Sequence, residues 1–191
     1  PETVGNERRI VISELSGGAN IQHRLKQMDV GGGEIPREDV KRVLAALKKR
    51  EGEGYSFESA DGSFEILVKK ALMRHKPFFQ LESFRVIVEK RAADQPCVSE
   101  ATVKLKVDGE SEHTVGEGSG PVDALDRALR AALARFYPAI HYVALTDFRV
   151  RILDPKEATG ATTRVLIESS DGARRWGTVG VSRNIIEASW E

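Results

Sequence analysis

The sequence has few of the features that mark secreted, membrane-bound or nucleic-acid-binding proteins. Its 191 residues include one cysteine, Cys97, which excludes an internal disulfide and fits the cytoplasm. Lys and Arg total 29, as do Asp and Glu, so the net charge gives no general attraction to nucleic acid or acidic membranes. No apolar run approaches membrane-spanning length, and no signal peptide is visible. We therefore expect a globular cytoplasmic protein with no nucleic-acid or membrane partner.

Catalytic and metal-binding patterns are also scarce. The four histidines lie far apart and lack the i, i+4 or Cys-x-x-Cys spacings that hold a metal; they are His23, His75, His113 and His141. Cys97 follows Pro96 without a nearby base, and no nucleophile is accompanied by a base elsewhere. We predict no catalytic residue, no metal site and no cofactor in this chain.

An internal duplication is the most informative feature that is present. Residues 84–125 and 148–189 repeat one pattern at a spacing of 64 residues. The matches include Phe84-Arg85-Val86 with Phe148-Arg149-Val150, Thr114-Val115-Gly116 with Thr178-Val179-Gly180, and Ala124 with Ala188. Two copies of one small unit suggest pseudo-twofold packing, with a site between the copies.

Each copy predicts three strands followed by a helix. Val103, Leu105 and Val107 alternate with charged residues, Asp108-Gly109 predicts a hairpin turn, and residues 112–115 predict the third strand. A helix then begins at Pro121. In the second copy we expect strands at 148–153, 163–169 and 176–181 and a helix from about residue 184. The predicted fold class is α+β, with two pseudo-symmetric βββα units.

The first 76 residues predict a mainly helical linker segment. Residues 8–15 suggest a short strand or a helical turn, and helices are expected around 21–28, after Pro36 and from Phe64 to Leu72. Because its apolar surface is too small for a core, we expect this segment to dock on something larger. The predicted domains are 1–76 and 77–191, with repeat 1 at about 79–137 and repeat 2 at about 144–191.

A glycine-rich stretch from Gly116 to Pro121 is the candidate ligand-binding loop of this sequence. Three glycines before a helix allow close backbone approach, and the N–H groups and helix dipole favour a carboxylate or phosphate. A tight strand-to-helix turn explains the same residues equally well. No lysine follows to hold phosphates, so a small ligand carrying a carboxylate fits better than a nucleotide.

Four separated motifs, covering essentially the whole chain, resemble one family. They are residues 9–21 (RIVISELSGGANI), 54–65 (GYSFESADGSFE), 117–129 (EGSGPVDALDRAL), and 167–172 with 176–190 (IESSDG and WGTVGVSRNIIEASW). These motifs closely resemble the C-terminal part of the citramalate synthases, within the 2-isopropylmalate synthase and homocitrate synthase family. The resemblance implies linker subdomains followed by an allosteric regulatory domain that forms a homodimer.

The resemblance also implies a function. The family's catalytic TIM barrel, with its divalent metal ion and acetyl-CoA, is absent from this sequence, so the chain alone is expected to be inactive. The implied parent enzyme makes (R)-citramalate from acetyl-CoA and pyruvate for isoleucine synthesis, and the implied feedback inhibitor is isoleucine. The equivalent leucine-binding region of 2-isopropylmalate synthase is the alternative.

The family's effector pocket carries over to seven positions: Gly116, Gly118, Val122, Asp123, Leu145, Phe148 and Ile185. Ser119 departs from the asparagine usual in this loop. Taken singly, each apolar member of the set is more simply explained as ordinary core.

Two hypotheses from other functional classes remain. A double-stranded-RNA-binding module also has a βββα order, but it carries lysines at the helix start where Asp123 stands here. A free-standing enzyme would need a titratable cluster that the sequence does not show.

Overall fold

The fold of the described residues is a mixture of helices and two small sheets. The computed structural model describes Ile21, Leu25 and residues 36–191. The elements are α1 (Arg37–Gly52), α2 (Asp61–Ala71), β1 (Gln80–Glu89), β2 (Val98–Val107), β3 (Glu110–Gly118), α3 (Pro121–Leu133), β4 (Ala144–Ile152), β5 (Thr163–Ser170), β6 (Arg175–Ser182) and α4 (Ile185–Trp190), with 3₁₀ turns at Pro138–Tyr142 and Pro155–Gly160. The predicted α+β class with two βββα repeats is confirmed. The predictions for residues 8–15 and for most of 21–28 lie outside the described residues.

The described chain forms two compact units. The first unit contains the described residues up to His75, together with residues 147–168 and 176–191. The second unit contains residues 76–146 and 169–175. Repeat 1 therefore lies in the second unit, whereas most of repeat 2 belongs with the linker helices. The predicted 1–76 and 77–191 domains, and the predicted pairing of the two repeats, stay predictions.

Repeat 1 is an antiparallel sheet with one face covered by its helix. The strand order is β1-β2-β3, and Val103 of the central strand pairs with Phe84 on one side and Thr114 on the other. The inward side chains of β2 and the inner face of α3 are buried: Ala101, Val103, Leu105, Val107, Ala124, Leu125 and Ala128. Each buried Val or Leu contributes about 1.5–3 kcal/mol of transfer free energy, so this face fixes the strand register.

The turn chemistry of repeat 1 follows from its sequence. Asp108 and Gly109 have φ angles of 48° and 90°, as a two-residue hairpin with positive φ at both positions requires. Pro121 opens α3 at its first turn, where its missing N–H costs no helical hydrogen bond. Both features match the prediction, and together they set the position of the β3–α3 turn.

The linker helices share a hydrophobic core with repeat 2. Its described members are Ile21, Leu25, Val40, Val43, Leu47, Tyr55, Phe57, Ala60, Phe64, Leu67, Val68, Leu72 and Val179, with Leu166 and Val181 packed against it. Val179 and Val181 lie on β6, and Leu166 lies on β5. Short amphipathic helices gain most of their stability from such packing. The linker therefore docks on the second sheet, in agreement with the small apolar surface of its sequence.

Candidate functional site

The β3–α3 turn is shorter than the sequence predicts. The third strand was expected to end at Val115, but β3 continues to Gly118, which pairs with Ser99 of β2. Gly116 and Gly118 are therefore strand residues, and only Ser119 and Gly120 connect β3 to α3. The prediction of a glycine loop from 116 to 121 was wrong in its extent, because the ladder with β2 extends through both glycines.

Both glycines of β3 are required by the close approach of α3. A Cβ atom added at Gly116 would lie 2.5 Å from the Ala128 nitrogen and 2.6 Å from the Ala124 oxygen. A Cβ atom at Gly118 would overlap the Ala124 nitrogen and lie 2.8 Å from the Asp123 carbonyl carbon. The space beside these glycines is thus filled by helix backbone and does not form an open cradle for a ligand.

Asp123, in the first turn of α3, binds back to Ser119 in the connection between β3 and α3. Its carboxylate accepts hydrogen bonds from the Ser119 backbone N–H (2.8 Å), the Ser119 hydroxyl (3.1 Å) and Arg127 Nε (2.9 Å). The Arg127 hydrogen bond, followed by that from the Ser119 N–H, lowers the pKa of Asp123. The Ser119 N–H, which the sequence suggested was free for a ligand, is already used. The i, i+4 spacing of Asp123 and Arg127 is the sequence signal that predicts their ion pair.

The start of α3 is less capped than the start of α4. Gly120 is the N-cap residue of α3 and has an extended backbone. Among the described residues, no side chain caps the start of this helix. At the equivalent position of repeat 2, the Asn184 side chain accepts a hydrogen bond of 2.9 Å from the Ile186 N–H. Because the first N–H groups of a helix have no partner within the helix, the α3 N-terminus is the more available for an anion.

The apolar residues of the predicted pocket do not lie in the core. Leu145 is 39% exposed and Ile185 is 41% exposed, while Val122 and Phe148 are half-buried. Burial in the core, the simplest explanation of each residue from sequence, therefore does not hold. Partial exposure of this kind is what an apolar ligand surface requires.

Five of the seven predicted site residues belong to the same compact unit, that of repeat 1: Gly116, Gly118, Val122, Asp123 and Leu145. Arg130 anchors the chain just before Leu145, since its Nη1 donates to the Ile140 and Val143 carbonyls at 3.0 and 2.6 Å. Phe148 and Ile185 belong to the unit of the linker and repeat 2. The assembly of all seven into one pocket stays a prediction.

Two negative findings hold for the described part of the chain. Across Ile21, Leu25 and residues 36–191, no group of three or more His, Cys, Asp or Glu residues is placed to hold a metal ion. No helix in the same residues is long and apolar enough to cross a membrane. What the structure shows at the candidate site is a short turn between β3 and α3 with hydrogen-bonding groups.

Comparison with known families identifies the domain. Residues 58–191 match the model of the LeuA allosteric (dimerisation) domain. The chain belongs to this family. The match includes α2 and both repeats, so the βββα duplication and the β3–α3 turn are parts of an allosteric domain.

The most similar curated relatives include citramalate synthases. The chain is 48% identical over 192 residues to the (R)-citramalate synthase of Aquifex aeolicus, covering 100% of this chain and 36% of the relative. It is 48% identical over 193 residues to that of Geobacter sulfurreducens, with the same coverage of each chain. The 2-isopropylmalate synthase of Aquifex aeolicus is 30% identical over 193 residues, covering 99% of this chain and 34% of the relative. The chain thus spans about a third of the length of these relatives.

Proposed function

We propose that this chain is the feedback-regulatory and dimerisation part of an (R)-citramalate synthase, with isoleucine as its allosteric inhibitor. The observation that carries the proposal is a comparison within one organism. The chain is 48% identical to the Aquifex aeolicus citramalate synthase but 30% identical to the 2-isopropylmalate synthase of the same organism. The parent reaction is the condensation of acetyl-CoA with pyruvate, in the cytoplasm, for isoleucine synthesis.

The turn between β3 and α3 offers complementary groups for a free amino acid. The N–H groups at the start of α3 and the positive end of its dipole suit the effector carboxylate. Asp123, whose side chain is 34% exposed, is ionised at neutral pH like an ordinary aspartate, and the hydrogen bond from Arg127 lowers its pKa further, so it suits the effector ammonium. A zwitterion suits both groups because its ammonium balances the Asp123 carboxylate, whereas phosphate carries no cationic group to do so.

Within the unit of repeat 1, the apolar part of the effector would lie against Val122 and Leu145. Covering a branched aliphatic side chain contributes about 1.5–3 kcal/mol. Isoleucine and leucine differ only in the placement of a methyl group, which such pockets discriminate by about 1–3 kcal/mol. Leucine is therefore the competing effector, and its binding would favour the 2-isopropylmalate synthase alternative.

Calorimetric titration of this chain with isoleucine, leucine and valine tests the proposal. We expect isoleucine to bind most tightly and Asp123→Asn to weaken binding at least tenfold. Glu110→Gln, which changes an exposed acid of β3 that pairs with Arg135, is the matched control and should bind like wild type. Tighter binding of leucine, or no binding of any of the three, would refute the assignment of isoleucine.

We also propose that the chain forms a homodimer that covers exposed apolar positions recurring at the 64-residue spacing of the duplication. Phe78 is 71% exposed and Tyr142, which lies 64 residues later, is 77% exposed. Val88 and Ile152, at the same spacing, are 53% and 55% exposed. Surface apolar residues that recur in both halves of a duplication suit a twofold-symmetric partner. Sedimentation at tens of micromolar should show a dimer, and a monomer with and without isoleucine would contradict it.

Catalysis is assigned to the part of the parent enzyme outside this chain. Since the described residues contain no group fit to hold the divalent metal, no step of the condensation is assigned to them. We expect no metal-dependent release of thiol from acetyl-CoA by the purified chain in the presence of pyruvate. Measurable release would show that the assignment of catalysis to a separate region is wrong.

A further inference from the structure

The sequence contains three Asp-Gly pairs, and the structure gives each a different environment. They are Asp61-Gly62 at the start of α2, Asp108-Gly109 in the β2–β3 hairpin, and Asp171-Gly172 between β5 and β6. An aspartate before glycine isomerises more readily than one before a larger residue, because glycine has no side chain to hinder attack by its backbone nitrogen. The local structure therefore decides which of the three pairs can react.

The isomerisation exchanges one molecule of water and needs no other reactant. The glycine nitrogen forms a bond to Cγ of the protonated carboxyl group, and the hydroxyl leaves with the nitrogen's proton as water, so a succinimide ring forms. Water then opens the ring: attack at Cγ restores aspartate, whereas attack at the main-chain carbonyl carbon gives isoaspartate, whose backbone runs through the former side chain. Ring closure requires a free carboxyl group, a free glycine N–H and rotation of the peptide group between the two residues.

The contact between α2 and β6 protects the first pair. Asp61 Oδ1 accepts a hydrogen bond from the Gly177 N–H at 2.8 Å, and Ser63 Oγ accepts one from the Val179 N–H at 2.9 Å. Gly62 lies inside the helix, where an added Cβ atom would be 2.9 Å from the Gly177 carbonyl oxygen. Ring closure at this pair would break the first turn of α2 and its contact with β6.

Local hydrogen bonds protect the third pair. Asp171 Oδ1 accepts hydrogen bonds from the backbone N–H groups of Ala173 at 3.0 Å and Arg174 at 2.7 Å. The Gly172 N–H, whose nitrogen would have to attack, donates to Ser170 Oγ at 3.1 Å. The bonds from Arg174 and Ala173 also lower the pKa of Asp171, which reduces the protonated fraction on which ring closure depends.

The second pair lies in an exposed turn without comparable restraints in the described part of the chain. Asp108 and Gly109 are both exposed, and no described atom lies within 4 Å of a Cβ added at Gly109. Among residues 36–191, no hydrogen bond or ion pair holds the Asp108 carboxylate, and the peptide group joining the two residues makes no backbone hydrogen bond. This peptide group can rotate without breaking a bond of the β2–β3 ladder. The φ of 48° at Asp108 lies in the left-handed region, which favours glycine over residues with a side chain, so rotation also relieves strain.

We propose that Asp108 is a modification site of this chain, at which spontaneous isomerisation yields isoaspartate, while the fold protects Asp61 and Asp171. Isoaspartate inserts an additional carbon into the backbone of a two-residue turn. This turn closes the pairing of Val107 with Glu110, and Val107 is buried, so the modified chain should unfold at a lower temperature. The proposal is independent of the proposed function, since the hairpin lies at the opposite end of the β2–β3 ladder from Gly118.

Peptide mapping of the folded chain, after prolonged incubation at neutral pH in water enriched in oxygen-18, tests the proposal. Isoaspartate is quantified with an isoaspartyl methyltransferase and labelled S-adenosylmethionine, and ring opening marks each product with a heavy oxygen. We expect about fivefold or more isoaspartate in the Asp108 peptide than in the Asp61 or Asp171 peptide, because each hydrogen bond that must break slows ring closure by about that factor. In guanidinium chloride the three pairs should differ by less than this factor, since their restraints are lost.

Asp108→Glu and Asp171→Glu are the matched variants. A glutamyl side chain would have to close a larger ring, which forms more slowly. Asp108→Glu should therefore lose most of the isoaspartate that the folded chain accumulates, whereas Asp171→Glu should lose little of it.

The map of the wild-type chain decides the proposal without either variant. Equal amounts of isoaspartate at the three pairs of the folded chain, a larger amount at Asp61 or Asp171, or none at Asp108 would overturn it. A fivefold preference for Asp108 that persists in the unfolded chain would also overturn it, because the preference would then come from neighbouring residues in sequence and not from the fold.

Discussion

Gly118→Ala is the most informative single substitution in repeat 1. The added Cβ would overlap the Ala124 nitrogen and lie 2.8 Å from the Asp123 carbonyl carbon and 2.9 Å from the Ala124 Cα. All three atoms are backbone, so no side-chain rotation relieves the contact. The start of α3 must therefore move away from β3.

The magnitude follows from the cost of overpacking. Inserting a methyl group into a well-packed site typically costs about 1–3 kcal/mol. A chain of this size loses about 2–4 °C in Tm per kcal/mol, so we expect a fall of roughly 2–12 °C if unfolding is cooperative. Loss of buried contacts around Ala124 and Ala128 would place the result in the upper half of this range.

Thermal unfolding followed by far-UV circular dichroism is a sufficient assay, and Gly120→Ala is the matched control. Gly120 lies two residues away in the same turn, has an extended φ of −159°, and has no atom within 4 Å of an added Cβ among the described residues. Its Tm should stay within about 1–2 °C of wild type, because surface substitutions typically cost less than about 0.5 kcal/mol. A Gly118→Ala chain as stable as the Gly120→Ala chain would refute the packing argument.

The same geometry changes how Gly118→Asp should be interpreted. If Gly118 lined an open ligand-binding loop, this substitution would weaken isoleucine binding more than tenfold while the fold survived. Since even a methyl group overlaps the helix backbone, the larger aspartate would displace α3 as well as add a charge. Loss of binding by this variant would therefore not locate the pocket unless its Tm were measured too.

Three further predictions follow from named groups. Burial, followed by the hydrogen bond to Glu191, raises the pKa of Tyr55 to about 12, so the contribution of Tyr55 to folding stability is fully present below about pH 10 and is lost as the pH rises towards 12. Tyr55→Phe should flatten this fall in stability, measured by urea titration at a series of pH values. The pKa of Asp123 is lowered, so the contribution of Asp123 to folding stability is present at neutral pH and is lost as the pH falls into the acid range. Asp123→Asn should therefore reduce the dependence of unfolding on acid pH, measured by circular dichroism. Val88→Asp should shift the sedimentation equilibrium towards monomer, whereas Met73→Asp, at an 87% exposed position outside both repeats, should not.

Local sequence signals were sufficient for most of the fold. The alternation around Val103 and the Asp108-Gly109 turn gave β2, its buried face and the first hairpin, because these features depend on neighbours in sequence. Asn184 marked the start of α4 for the same reason, and its side chain caps the Ile186 N–H. Interactions that span a few residues can be predicted from residue type and period alone.

The candidate site could be predicted only in part. The sequence indicated that the glycines before α3 matter, but two explanations were open, and the choice depends on where the helix backbone lies. Gly118 contacts Ala124 six residues later, whereas the Asp61 and Ser63 contacts with β6 span 116 residues. Such contacts depend on which edge the linker covers, and no local pattern encodes that choice.

The two strand-to-helix turns of the duplication have acquired different chemistry, and this difference constrains where an effector can bind. At the position equivalent to Gly118, repeat 2 has Ser182, whose hydroxyl donates to Glu187 at 2.6 Å and accepts from the Asn184 N–H at 3.0 Å. These bonds, with the Asn184 cap, satisfy the second turn from within. The first turn keeps glycine at its N-cap and leaves its helix start without a side-chain cap among the described residues. Under the proposed function, we expect the effector carboxylate to bind at the first turn rather than the second; the linker, by contrast, packs against strands of repeat 2.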